Sequence, residues 1–261
     1  MATLEVENQQ ISYEDFGGSG PVIIFSHCFG MNRSMFGPQL EVLKTRYRCI
    51  TWDQRAHGGS FTDSPFTFWD SARDCLALLD HLGIQQASLV GASQGAFVAL
   101  RVVLLALDRV RSLVMLGTSV AAETPEKKAA YRQMQDALKD GEELPQAVLD
   151  PLAYVCFGSN FDAAYWKAVW RRWPAKQARL ASNALIERDD LSERLAEISV
   201  PALVVHGTAD NAYPVSEGQA IADGIARSEP LVRVEGGAHF LNVTDPEPVN
   251  AALPSFFAKY A

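Results

Sequence analysis

A short serine motif lies between two apolar segments near the middle of the chain. The motif, Gly91-Ala92-Ser93-Gln94-Gly95, fits the pattern G-x-S-x-G. The segment before it, 87–90, has the length of a buried strand, and the segment after it, 96–107, has the length of a buried helix. A serine on such a turn exposes its hydroxyl at a helix N-terminus, and the outer glycines relieve crowding between strand and helix. The motif therefore predicts a sharp strand–turn–helix that presents Ser93 as a nucleophile.

Strand and helix patterns alternate on both sides of this turn. Residues 4–16 alternate between polar and apolar, which predicts an opening antiparallel hairpin. Further strands are predicted at 22–25, 47–52, 87–92, 110–116, 201–206 and 231–234, and helices at 68–82, 94–107, 216–225 and 248–260. Such alternation is typical of parallel α/β sheets. We therefore predict an α/β fold with a mostly parallel central sheet of about eight strands flanked by helices.

The alternation stops between residues 119 and 190. This segment has no convincing strand pattern, and its helical stretches are rich in aromatic residues and punctuated by glycine and proline. It is predicted to be a helical cap, 119–190, inserted into an α/β core formed by 1–118 and 191–261.

Composition excludes several classes of function. The net charge is −8 and the basic residues are scattered, whereas nucleic-acid binding needs a basic surface. The first eight residues lack the regions of a signal peptide, and the apolar run at 96–107 is too short to span a bilayer. The four cysteines are widely spaced, which suits a reducing compartment. We therefore expect a cytoplasmic protein with no nucleic-acid or membrane partner.

Motifs for cofactors and metals are missing from the sequence. Histidines and cysteines do not cluster with the spacing of a zinc site, and no G-x-G-x-x-G or phosphate loop follows a predicted strand. We therefore expect chemistry without a cofactor or a metal.

A serine nucleophile needs a base and a group that orients the base. Functional groups of parallel sheets gather beyond the carboxyl ends of the strands. Asp210 follows the strand at 203–206, and His239 follows the strand at 231–234. The chain order Ser93, Asp210, His239 is the order that a strand–serine–helix architecture uses.

Alternatives to this pair are weaker. The loop after the strand at 110–116 has no carboxylate before Glu123, so Asp210 is the better acid. His57 competes with His239 as the base, but it precedes Ser93 in the chain and lies in a glycine-rich turn.

Three other histidines are given structural roles. His81 ends a predicted helix, and His206 ends a predicted strand. His27 follows the strand at 22–25, and we expect it to hold the adjacent loop by hydrogen bonding.

Acyl transfer also needs hydrogen-bond donors for a developing oxyanion. The backbone N–H of Gln94 is one candidate because it lies at the start of the helix. The loop after the strand at 22–25 supplies the second candidate, the backbone N–H of Phe29, whose ring is also free to contact a substrate.

Five segments together resemble the α/β-hydrolase superfamily. They are 25–30, 53–60, 91–95, 207–210 and 237–240, and they extend from near the start of the chain to near its end. Within the superfamily, the chain is most similar to small esterases and lactonases of the 3-oxoadipate enol-lactonase kind, and less so to the perhydrolase/haloperoxidase group. The resemblance implies a serine hydrolase of a small-molecule carboxylic ester or lactone.

The sequence departs from the family pattern at three positions. Cys28 stands where glycine is usual in the His-Gly-x-Gly motif, which affects the oxyanion assignment. Ala56 stands where glycine is usual in Arg-Gly-His-Gly, which implies that this position does not need a positive φ. Gln94 stands where methionine or leucine is common, which puts an amide near the pocket. Ser93 occupies the position of the aspartate nucleophile of haloalkane dehalogenases, which argues against halide displacement.

Other functions remain open at this point. The same three residues support hydrolysis of a carbon–carbon bond or perhydrolysis, and some proteins of this fold are ligand receptors. We expect the pocket to include Met31, Trp166, Trp170 and Tyr213. Arg171 and Arg172 are expected on a solvated helix face, with contact to a substrate carboxylate as the alternative. Exposed aromatic side chains on the cap fit a homodimer interface as well as a pocket.

Overall fold

An eight-stranded sheet forms the centre of the protein. The computed structural model describes residues 2–6 and 9–261. The strand order is β1-β2-β4-β3-β5-β6-β7-β8. The strands are β1 (Ala2–Val6), β2 (Gln9–Asp15), β3 (Val22–Ser26), β4 (Arg48–Trp52), β5 (Ala87–Ala92), β6 (Val110–Leu116), β7 (Ala202–Gly207) and β8 (Val232–Val234).

The sheet is antiparallel at one edge and parallel elsewhere. β1 pairs antiparallel with β2, and β2 pairs antiparallel with β4. The strands from β4 through β8 all pair parallel. The predicted mostly parallel sheet and its opening hairpin are therefore confirmed. Glu7 and Asn8, which the hairpin prediction included, lie outside the described residues.

The described part of the chain forms ten α-helices. They are α1 (Gly37–Leu43), α2 (Phe68–His81), α3 (Gln94–Leu105), α4 (Pro125–Asp136), α5 (Gln146–Phe157), α6 (Ala164–Arg171), α7 (Ala175–Ile186), α8 (Val215–Gly224), α9 (Leu241–Thr244) and α10 (Pro246–Tyr260). No described helix has the length and hydropathy that crossing a bilayer requires.

Local sequence explains the ends of the helices near the site. Thr67 and Asp70 form a reciprocal capping box that starts α2. The predicted helix 94–107 stops at Leu105, because Ala106 leaves the helical conformation with φ −152° and ψ 70°. α10 begins at Pro246, two residues before its predicted start, since proline is well suited to the first turn of a helix.

The cap lies between β6 and β7 in the chain. Its four helices, α4 to α7, come from the segment 119–190, and that segment contains no strand. The inserted helical cap is thus confirmed as part of the fold, while its limits at 119 and 190 stay a prediction.

Buried strands place the serine motif at the centre of the sheet. Every residue of β5 is buried, and β5 lies between β3 and β6. Residues 94–103 of α3 are also buried, so the turn that joins β5 to α3 is enclosed by core on both sides. An apolar strand followed by an apolar helix fits such a central position.

Candidate active site

The turn at Ser93 has a strained backbone. Ser93 has φ 48° and ψ −113°, a conformation that side chains other than glycine seldom adopt. Its N–H donates to the carbonyl of Leu116 over 2.8 Å, and its own carbonyl accepts from Thr118 Oγ1 over 3.0 Å. A neighbouring strand and the loop that follows it therefore hold the strained turn in place.

Two glycines permit the close approach of strand and helix. A Cβ atom at Gly95 would collide with the carbonyl oxygen of Ser26, and one at Gly91 would collide with the backbone of Ala96. The crowding expected from the sequence motif is thus a backbone-to-backbone contact.

The structure brings Ser93, His239 and Asp210 into one hydrogen-bonded row. Ser93 Oγ lies 2.8 Å from His239 Nε2, and His239 Nδ1 lies 2.8 Å from Asp210 Oδ2. Since a carboxylate only accepts, His239 carries its proton on Nδ1 and accepts from the Ser93 hydroxyl at Nε2. The row has the geometry for moving a proton from the serine hydroxyl to the imidazole.

Burial isolates this row from solvent. Ser93 is 6% exposed and His239 is 5% exposed. Aromatic rings pack around the imidazole, with Tyr213 at 5.5 Å and Phe240 at 5.1 Å between ring centres. Charge that develops at Ser93 would therefore meet a low dielectric.

Asp210 is held ionised by its surroundings. Burial by itself would raise the pKa of Asp210, but the neighbouring His239 and several hydrogen bonds lower the pKa well below its ordinary value. Asp210 Oδ1 accepts the backbone N–H groups of Ala212 and Tyr213 over 2.7 and 2.9 Å.

A second imidazole also lies against this carboxylate. His206 Nε2 is 3.2 Å from Asp210 Oδ2 and 3.0 Å from the carbonyl of Tyr213. The sequence predicted only a structural role for His206. A polar side chain within the apolar strand β7 was the one signal for this contact, because buried polar groups need partners.

A buried ion pair lies behind Tyr213. Arg188 and Glu123 pair with each other, and both side chains are almost fully buried. The Tyr213 hydroxyl donates to Glu123 Oε1 over 2.7 Å and accepts from Arg188 Nη1 over 3.1 Å. The guanidinium also lies 4.2 Å from the ring centre of Phe97. Sequence reasoning missed this pair, since its members are 65 residues apart.

The candidate oxyanion donors lie on two adjacent segments. The backbone N–H groups of Phe29 and Gln94 have no hydrogen-bond acceptor among residues 2–6 and 9–261. His27 Nδ1 donates to the carbonyl of Cys28 over 2.8 Å, which is the bond expected of a loop-holding histidine. Burial raises the pKa of the Cys28 thiol well above its ordinary value, so Cys28 stays a neutral thiol.

His57, the alternative base, is not in contact with Ser93. Its Nδ1 donates to the carbonyl of Arg55 over 2.8 Å, and its ring packs against Trp173 at 5.0 Å. Burial lowers the pKa of His57 to about 3. The geometry therefore places His239 rather than His57 beside the serine.

Ala56 differs from its sequence-based expectation. We expected that this position does not need a positive φ, but Ala56 has φ 65°. The expectation was wrong because bonds within the turn and from the cap fix this conformation. The Ala56 N–H donates to the carbonyl of Ser60 over 2.8 Å, and the Ala56 carbonyl accepts from Trp173 Nε1 over 2.8 Å.

The predicted pocket residues are all buried. Met31 lines a cavity of about 110 Å³ beside Gly30 and Trp173. Trp170 stacks on Phe157, and Trp166 packs edge-on against Tyr165. Tyr213 packs against the ring of His239, which in turn contacts Ser93 Oγ.

Of the two cap arginines named as carboxylate ligands, Arg172 lines the same cavity as Met31. Arg171 and Arg172 are exposed, and Arg171 bonds Gln146 on the cap surface. The cationic side chains near the Asp210 loop are instead Arg188 and Lys127, whose Nζ lies 3.8 Å from the ring centre of Tyr213.

A parallel sheet with a serine on a strained strand-to-helix turn defines a class of hydrolases. Residues 23–252 match the alpha/beta hydrolase family, and the chain belongs to that family. It is therefore an enzyme of the hydrolase type.

Similar proteins span the whole chain. The chain is 28% identical to 3-oxoadipate enol-lactonase 2 of Acinetobacter baylyi, over 99% of this chain and 97% of that protein. A thermophilic esterase from Thermogutta terrifontis is 25% identical with a TM-score of 0.88, over 98% of this chain and 96% of that one. The enol-lactonase from Burkholderia xenovorans is 24% identical with a TM-score of 0.90, over 99% and 100%, and shows likeness of fold.

Proposed function

We propose that this hydrolase cleaves a carboxylic ester or lactone through an acyl-enzyme formed on Ser93. Ser93 Oγ attacks the carbonyl carbon while His239 accepts the hydroxyl proton. His239 then protonates the leaving alcohol oxygen, and Asp210 orients the imidazole and stabilises its positive charge. Water, activated by His239, releases the acid and restores Ser93.

One observation carries this proposal. The 2.8 Å contact between Ser93 Oγ and His239 Nε2 is continued by the 2.8 Å contact between His239 Nδ1 and Asp210 Oδ2. The strained backbone of Ser93 supports the same role, because strain of this kind concentrates at functional sites.

The oxyanion of the tetrahedral intermediate is assigned to two backbone donors. The N–H groups of Phe29 and Gln94 are the candidates, and donors fixed in place before reaction lower the barrier most effectively. Both belong to backbone on buried segments, so they need little rearrangement when charge develops.

The similar proteins favour an ester or lactone bond. The Acinetobacter relative is named a lactonase, and the Thermogutta structure is an esterase. Both names concern an acyl–oxygen bond, for which a buried serine, imidazole and carboxylate are suited.

The test is hydrolysis of p-nitrophenyl esters from acetate to decanoate, together with a set of lactones. We expect turnover by the natural protein and its loss in Ser93→Ala. Ser71→Ala is a matched control, because Ser71 is also a buried serine but lies on α2. This variant should keep its activity.

Two outcomes would count against the proposal. Equal turnover by Ser93→Ala and the natural protein would remove Ser93 as the nucleophile. Absence of turnover on every ester and lactone, with activity on a diketone or with peroxide as acceptor, would move the assignment to carbon–carbon hydrolysis or perhydrolysis.

A further inference from the structure

A chain of neutral side chains joins the serine turn to the loop that carries Phe29. Gln94 Nε2 donates to Gln54 Oε1 over 3.0 Å. Gln54 Nε2 donates to the carbonyl of His27 over 2.5 Å, and the Gln54 backbone N–H donates to His27 Nε2 over 2.9 Å. All three side chains are at most 1% exposed.

This chain ends on the peptide unit that presents the Phe29 N–H. His27 Nδ1 donates to the carbonyl of Cys28 over 2.8 Å, and the Met31 N–H donates to the same oxygen over 3.1 Å. The peptide between Cys28 and Phe29 is trans, so its C=O and N–H point in opposite directions. Fixing the carbonyl therefore fixes the direction of the Phe29 N–H.

The hydrogen bonds also settle the protonation of His27. Its Nδ1 must donate to a carbonyl and its Nε2 must accept from an amide, so the ring is neutral. Burial lowers the pKa of His27 to about 4, and the ring stays neutral at working pH. A donor on the Cys28 carbonyl polarises the peptide and strengthens the Phe29 N–H as a donor.

The Gln94 amide is a poor choice for stability alone. Its Oε1 is buried with no hydrogen-bond partner among the described residues. An unsatisfied buried acceptor is destabilising, and an apolar side chain at position 94 would remove it only by leaving Gln54 Oε1 without its donor. The hydrogen bond that the Gln94 side chain makes is the one to Gln54, so its contribution is directed along this chain of side chains.

We infer that Gln94, acting through Gln54 and His27, is a positioning residue for the oxyanion donor at Phe29. The inference rests on the proposed function, since it assigns a purpose to a donor of that reaction. It links the two halves of the oxyanion site, because the backbone of Gln94 supplies one donor and its side chain aligns the other.

The test compares Gln94→Met with Gln177→Met. Gln177 is a matched control because it also carries a buried amide, which bonds the backbone N–H and carbonyl of Thr62 rather than any residue of the chain from Gln94 to Cys28. For each variant we would measure kcat and KM on the best p-nitrophenyl ester. We would also measure inhibition by a trifluoromethyl ketone, which forms a tetrahedral adduct with the serine. The control inhibitor is the carboxamide of the same chain length, which forms no adduct.

Loss of alignment should appear in the tetrahedral state alone. We expect Gln94→Met to lower kcat about tenfold, to change KM by less than about twofold, and to weaken the trifluoromethyl ketone about tenfold. Affinity for the amide should stay the same. Gln177→Met should change none of these ratios.

A double-mutant cycle separates positioning from simple damage. Gln54→Met should give a similar loss, and adding Gln94→Met to it should cost little more, because the two amides act in one chain. Fully additive losses, or equal weakening of ketone and amide, would overturn the inference. If the natural protein hydrolyses no ester or lactone, the proposed function fails instead, which is a separate result.

Discussion

The two sides of Ser93 are built from different kinds of interaction. The side proposed to bind the oxyanion, which comprises His27, Cys28, Phe29, Gln54 and Gln94, is held by hydrogen bonds between neutral groups. The acid side, which comprises Glu123, Arg188, His206, Asp210 and Tyr213, contains two buried carboxylates and a buried guanidinium. An oxyanion donor needs direction, which neutral bonds supply, whereas an orienting carboxylate must stay charged in a buried place.

The two sides also differ in where they attach to the chain. Every member of the oxyanion side belongs to the α/β core. The acid side takes Glu123 from the start of the cap and Arg188 from its end, and Tyr213 joins both to the Asp210 loop. The cap also contacts the oxyanion side, but through the rings of Tyr131 and Trp173 against Phe29 rather than through an ion pair.

The largest expected effect comes from neutralising the centre of the acid side. Asp210→Asn removes the charge and favours the wrong tautomer of His239, so kcat on the best ester should fall about 10⁴-fold. Steady-state kinetics would measure the change. Asp15→Asn, which alters a half-buried carboxylate paired with Arg48, should leave kcat nearly unchanged. A loss of less than about tenfold in Asp210→Asn would show that another group orients His239.

Breaking the buried ion pair should be the next largest effect. Arg188→Met leaves Glu123 buried without its partner, and the free energy of unfolding should fall by about 3–5 kcal/mol. Urea denaturation would measure it. Adding Glu123→Gln should restore much of the loss, whereas Arg48→Met, at a half-exposed pair, should cost about 1 kcal/mol or less. Equal losses of unfolding free energy in the two arginine variants would mean that burial does not make the Arg188–Glu123 pair more important for stability than the Arg48–Asp15 pair.

Lowering the pH should destabilise the fold through the histidines near the oxyanion donors before it does so through Asp210. His27 on the oxyanion side and His57, whose ring centre lies 5.0 Å from that of His27, have pKa values that burial lowers from 6.5 to about 4 and about 3. Below pH 6.5 the unfolded chain binds protons that the native histidines refuse, so each histidine lowers the free energy of unfolding by about 1.4 kcal/mol per pH unit. That loss continues until the pH reaches the lowered native pKa. The lowered pKa of Asp210 stabilises the native state, and this stabilisation is lost only as the pH falls below the ordinary value of 3.8.

Urea denaturation between pH 7 and pH 4.5 would test this difference. His57→Gln should reduce the slope of unfolding free energy against pH by about 1.4 kcal/mol per unit. Replacing the exposed His81 by glutamine should leave the slope as it is. An unchanged slope in His57→Gln would mean that this ring is protonated in the native state.

The sequence predicted the core better than it predicted the cap. The motif around Ser93 and the strand-end positions of Asp210 and His239 depend on local patterns, so strand, turn and helix signals were enough to identify them. The predicted end of helix 94–107 and the predicted start of α10 were each off by two residues. Capping interactions set the ends of helices within that range.

What sequence reasoning missed depends on contacts between distant segments. Glu123 and Arg188 meet across the base of the cap, and neither lies in a motif. His206 meets Asp210 only because the β7–α8 loop turns back over four residues.

The smallest expected effect comes from removing one hydroxyl of the acid side. Tyr213→Phe deletes the bonds to Glu123 and Arg188 but keeps the backbone N–H that holds Asp210 Oδ1. The free energy of unfolding should fall by about 1 kcal/mol and kcat by a few-fold. Tyr260→Phe removes a similar bond, to Glu229, far along the chain from the Asp210 loop, and kcat should not change. If Tyr213→Phe lowers stability without lowering kcat, the Glu123–Arg188 ion pair stabilises the cap without influencing the position of Asp210. If kcat falls as expected, the base of the cap and the orienting carboxylate belong to one connected unit.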